Sequence, residues 1–144
     1  MLVDGQLEFS DAQAVTATAN STNVIDLGLA GQDIGTGENL YVVVQVETAM
    51  TDAGSDSTVA VTLIDDDNAA LSSAATVQTL GTFAAVSGAG TAIIARVQPG
   101  AITQRYVGLA FTVAGGDLTT GSFDAFLTMN IDKFKAYPKG YTIS

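Results

Sequence analysis

The chain has 144 residues, 47% of them hydrophobic and 14% charged, with a net charge of −10 and neither cysteine nor histidine. That length buries roughly two thirds of the unfolded surface in one domain, and the composition is too apolar for disorder. Disulfide and thiol chemistry are excluded, the usual general base near neutral pH is missing, and so acidic a chain repels phosphate backbones, which makes nucleic acid a poor partner.

Taken in order, the N-terminal stretch "MLVDGQLEF" carries Asp4 and no basic residue, so no secretory signal is expected. Residues 1–9 read as an arm ahead of the first strand. Weak strand patterns cover 13–18 and 23–27. A glycine-rich loop, 28–39, follows. Its "GQDIGTG" lacks both the dinucleotide fingerprint and the phosphate-loop lysine, so it supplies backbone freedom only. In "LYVVVQVE" (40–47), Leu40, Val42, Val44 and Val46 share one face and Tyr41, Val43, Gln45 and Glu47 the other. Residues 48–57 form a second long loop. In "TVAVTLI" (58–64), Val59, Val61 and Leu63 alternate with Thr58, Ala60 and Thr62.

Three consecutive acids, Asp65, Asp66 and Asp67, end that strand, and a short helical turn near 68–75 would start from a cap at Asp67 or Asn68. Weaker strands are expected at 76–83 and 91–97. Clear alternation returns in "YVGLAFTV" (106–113), with Val107, Leu109, Phe111 and Val113 on one face. It returns again in "SFDAFLTM" (122–129), where Phe123, Ala125, Leu127 and Met129 oppose Ser122, Asp124, Phe126 and Thr128. The tail "PKGYTIS" (138–144), opened by Pro138, is expected to run over the surface.

About eight antiparallel strands separated by Gly, Asp, Ser and Thr clusters predict an all-β fold. The long loops favour a jelly-roll sandwich over a meander, with an immunoglobulin-like sandwich as the alternative. One domain, 1–144, is expected. The longest apolar runs, "YVVV" and "AIIA", fall far short of the ~20 residues a bilayer requires, so no membrane partner is expected.

The chemistry-bearing residues are few. Asp65, Asp66 and Asp67 are the one candidate metal site, for calcium or magnesium. Consecutive residues of an extended strand point to opposite faces, however, and no glutamate follows at a calcium-loop spacing. A solvated loop end is the plainer reading. No spacing among the fifteen acids selects a glycosidase pair, and no tryptophan offers a sugar platform. No serine has a histidine partner. No enzymatic activity and no cofactor are expected.

Charge is unevenly placed. Residues 1–95 hold twelve acids and no Lys or Arg, while Lys133, Lys135 and Lys139 gather at the C-terminus among Phe134, Tyr137 and Tyr141. Aromatics among lysines suit a protein contact surface, though Phe134 and Tyr137 equally fit the end of the last strand's core face. The favoured contact surface is the N-terminal arm, with Leu2, Val3, Leu7 and Phe9, since a short apolar lead can add to a neighbour's sheet edge; the basic C-terminus is the second choice.

The stretches "LEFSDAQAVTATANSTNVIDLG" (7–28), "NLYVVVQVETAMTDAGSDSTVAVTL" (39–63), "TLGTFAAVSGAGTAIIARVQPG" (79–100) and "RYVGLAFTVAGGDLTTGSFDAFLTMNID" (105–132) together span nearly the whole chain. In that order they resemble the capsid cement (decoration) proteins of Bordetella-phage type from tailed bacteriophages. The resemblance implies a jelly roll on the outer surface of an HK97-like shell. Its partners would be the major capsid protein and a second copy of itself, as a homodimer or alternatively a homotrimer. It implies a virion location after synthesis in the host cytoplasm, and no catalysis. A virion-surface jelly roll that binds carbohydrate or a receptor is the competing reading.

Overall fold

The alternating runs build nine strands in a computed structural model that describes residues 4–29, 38–129 and 131. They are β1 (Glu8–Ala14), β2 (Ala19–Asn20), β3 (Ile25–Asp26), β4 (Tyr41–Thr51), β5 (Thr58–Asp66), β6 (Ala75–Phe83), β7 (Ala92–Arg96), β8 (Tyr106–Ala114) and β9 (Thr120–Thr128). One sheet has the order β1-β9-β4-β7. The other has β2-β8-β5-β6, with β3 also paired to β8. Every described pairing is antiparallel.

β2 and β3 lie on the same flank of β8, against Phe111–Ala110 and Val107–Tyr106 respectively. They act as one strand interrupted at 21–24. Counted so, the first strand pairs with the eighth, the second with the seventh, the third with the sixth and the fourth with the fifth. This nested pairing is a jelly roll, which sets the immunoglobulin-like alternative aside.

The two sheets bury each other's alternate residues. Val42, Val44 and Val46 of β4, Val59, Val61 and Leu63 of β5, Val107, Leu109 and Phe111 of β8, and Phe123, Ala125 and Leu127 of β9 form one interior. Phe123 sits at its centre, with ring centroids 5.2 Å from Phe83 and 5.4 Å from Phe111, so it ties β9 to both β6 and β8 across the gap. Each such side chain contributes about 1.5–3 kcal/mol on full burial.

Several expectations need correction. The first strand is 8–14 rather than 13–18. It carries two register shifts against β9, and Ala12 adopts φ 46° with its N–H donated to Asp124 Oδ1 at 2.7 Å. A bulge of this kind breaks the period of two that strand recognition depends on. Residues 68–74 form turns, not a helix, and Ala75 already opens β6. Leu71 has φ 51°, outside the helical region, although Asn68 does accept the Ala70 N–H at 2.9 Å. Met129 is 67% exposed rather than core, because β9 ends at Thr128.

Candidate functional site

The aspartate triplet is divided by strand geometry. β5 runs in unbroken register against β8 from Thr58 to Asp66, so Asp65 shares the core-facing side with Leu63, and Asp66 shares the outer side with Ile64. Both side chains are buried and Asp67 is exposed. Asp65 Oδ2 accepts the N–H groups of Thr103 at 2.8 Å and Gln104 at 3.0 Å, and the Thr103 hydroxyl at 3.3 Å. It pins the connection between β7 and β8. Asp66 closes its own loop, accepting Ser73 N–H at 2.8 Å and Asn68 N–H at 3.3 Å. The Ser73 N–H holds the Asp66 carboxyl below its ordinary range against the opposing effect of desolvation.

The loop that Asp66 closes lays Leu71 on the outer face of the second sheet. Gly108 makes room for it: a Cβ there would stand 2.4 Å from Leu71 Cδ1. The triplet is therefore two loop staples facing opposite ways plus one solvated acid. This corrects the reading of all three as a solvated loop end, and gives the metal reading no convergent ligands. Among the described residues no group of three or more acids is placed to hold a metal ion.

The N-terminal candidates divide as well. Asp4 accepts the Gln6 N–H at 3.0 Å and starts a short 3-10 turn, Gly5–Leu7. Leu7 packs against the core, and Phe9 belongs to it with no exposed surface. Phe9 is thus a core residue and not a contact residue, and the folded part begins inside the expected arm 1–9. Leu2 and Val3 lie outside the described residues, as do Lys133, Phe134, Lys135, Tyr137, Lys139 and Tyr141.

Two features had no sequence signal. An open groove of about 870 Å³ lies between the 3-10 turn with Glu8 and residues 22–27. One of its walls carries a bidentate ion pair, in which Arg105 Nε and Nη2 donate to Asp26 Oδ1 and Oδ2 at 2.7 and 2.8 Å. The Arg105 guanidinium also lies 5.0 Å from the Tyr106 ring centroid. The pairing lowers the Asp26 pKa to about 2. The second feature is the outer edge of β7. This strand pairs only with β4 among the described strands, its Arg96 O accepts the Gln78 Nε2–H at 2.8 Å, and its Ile94 is 48% exposed.

The opposite end of the sandwich gathers the connections 52–57, 84–91 and 115–119. They are tied by Met50 N–H to Ser87 O at 3.0 Å and Ser57 Oγ to Gly116 O at 2.8 Å. Asp52 accepts the N–H groups of Gly54, Asp56 and Ser57. Gly115 is required here: it has φ 87°, and a Cβ would stand 2.6 Å from the Asp56 carbonyl oxygen.

Among curated proteins no match was found. A family model does match, that of Bbp16, over residues 9–127. The name has the form used for Bordetella phage proteins and states no function. The matched span runs from the second residue of β1 to the penultimate residue of β9, so it takes in the whole sandwich, and the chain belongs to the Bbp16 family.

Proposed function

We propose that the protein is a capsid cement, binding the outer surface of an HK97-like shell and clamping neighbouring capsomers. The observation that carries this reading is the family match over residues 9–127, which covers the same strands as the quoted stretches that resemble phage decoration proteins. The phage association is the coarser part of that finding. The capsid surface, the partners and the absence of catalysis are the proposal.

The physics suits the role. A shell fails where adjacent capsomers part, and a ligand with affinity for two neighbours stabilises the assembled state over separated capsomers. Joining two weak contacts in one rigid body raises the effective concentration of the second. A sandwich with loops at both ends can present two such surfaces. A homodimer, or alternatively a homotrimer, multiplies them, and the β7 edge with exposed Ile94 is the self-complementary surface that we favour. The residues before Asp4 and the lysine-rich 133–141 stretch are the segments proposed to meet the shell. No observation favours the carbohydrate-binding reading, since Asp65 and Asp66 are committed to protein donors and face opposite ways.

Co-sedimentation of the full chain with empty shells of its phage's major capsid protein tests the proposal. Saturable pelleting at a fixed ratio to capsid protein is expected, weakened by deletion of residues 1–3 or 133–144. Full retention in the supernatant would overturn it.

A further inference from the structure

We propose that the groove beside β3 is a strand-addition site for an extended, cationic segment of a partner protein. β3 is a sheet edge: among the described strands it pairs only with β8. Leu27 N–H donates to Arg105 O at 2.9 Å, and Ile25 stands opposite Val107 with Asp26 opposite Tyr106. In an antiparallel ladder the hydrogen-bonded residues alternate, so Ile25 and Leu27 address β8 while the backbone groups of Val24 and Asp26 point away from it. They offer a row of donors and acceptors to an incoming strand.

The groove has the form of such a site. Its walls are Gly5–Glu8 on one side and Thr22–Leu27 on the other, enclosing about 870 Å³. Leu7, Val24 and Leu27 are half-buried and supply apolar surface along it. Thr22 and Asn23 already donate to Gln13 Oε1 and Phe9 O, so a partner strand would pair alongside 24–27, spanning about four residues at ~3.3 Å each. Backbone pairing would give affinity, and alternate side chains would reach the floor.

Charge selects the occupant. Among the described residues the lining contains Glu8 and Asp26, Asp4 adjoins it, and the one cation at its wall, Arg105, is paired with Asp26. That pairing leaves Glu8 and Asp4 as the carboxylates without a cation among the described residues. A second copy of the folded body, itself strongly acidic, would meet like charge here. An extended segment with alternating apolar and basic residues meets opposite charge and a free edge together. The inference does not depend on the capsid reading, because its test uses no shells.

The probe is a fluorescent peptide, Lys-Val-Lys-Val-Lys-Val-Lys, titrated into the full-length protein and followed by anisotropy and amide hydrogen exchange. Expected are saturable binding and slowed exchange at Val24 and Asp26. A peptide N-methylated at alternate amides, unable to pair, should bind at least about tenfold more weakly, as should Glu-Val-Glu-Val-Glu-Val-Glu. Glu8→Lys should weaken binding more than Asp117→Lys, which makes the same charge change in an exposed loop at the other end. Equal affinity of the N-methylated peptide would overturn the proposal, because it would reduce the binding to charge attraction. So would protection confined to another edge, or a concentration-dependent dimer that alone protects Val24 and Asp26.

Discussion

Replacing Asp65 by alanine tests the assignment of the aspartate triplet as loop staples. The buried carboxylate loses two backbone donors at 2.8 and 3.0 Å and a hydroxyl at 3.3 Å. Hydrogen bonds to a charged group contribute about 1.5–3 kcal/mol each, less whatever water recovers. Thr103 is exposed, so water reaches part of the vacated site, and the net loss should be about 3 kcal/mol. For a chain of this size that lowers Tm by about 6–12 °C. Asp65→Asn keeps one acceptor oxygen and should lose about half as much, whereas Asp67→Ala should change stability by less than about 0.5 kcal/mol. The assay is urea and thermal unfolding followed by circular dichroism, with and without millimolar calcium. Equal losses at Asp65 and Asp67 would refute the reasoning. So would a calcium-dependent rise in Tm that Asp65→Ala removes.

Gly108→Ala should cost about 1–3 kcal/mol by driving a methyl into Leu71, and Leu71→Ala about 2–3 kcal/mol. In the double variant the two losses should fall short of their sum by about 1 kcal/mol, read from a double-mutant cycle in urea. Phe9→Ala should destabilise the fold by about 3–5 kcal/mol, visible as a large drop in the urea midpoint, whereas a contact residue would leave unfolding unchanged. Asp26 has its folded pKa depressed from 3.8 to about 2, so its pairing with Arg105 stabilises the fold fully above about pH 4 and is lost as pH falls towards 2. Tm measured across that window should fall less steeply in Asp26→Asn than in the parent.

Period-two alternation places β5, β8, β9 and the first part of β4 and assigns their inner faces, because each has an unbroken register against at least one neighbour there. It stops short in β4, which runs on to Thr51 where 48–57 reads as loop, because the register against β9 shifts after Val46. The same logic separated Asp66 from Asp65 and Asp67. It failed where the backbone leaves that period. The bulge at Ala12 hid the start of β1, and the interruption at 21–24 split β2 from β3. Partners far away in sequence were invisible: the donors to Asp65 lie at 103 and 104. The groove is made by Gly5–Glu8 and residues 22–27, brought together partly by Asn23 N–H donating to Phe9 O at 2.9 Å. Neither stretch has a motif of its own. Phe9 misled for a plain reason: an aromatic near the N-terminus looks the same whether it leads the fold or is its first core residue.

The clamp itself is tested most directly by the heat stability of shells. Empty capsids titrated with the purified protein should disassemble at a temperature that rises with added protein and levels off once the sites are filled. A disassembly temperature that stays constant at saturating protein would contradict the account, whatever binding is seen.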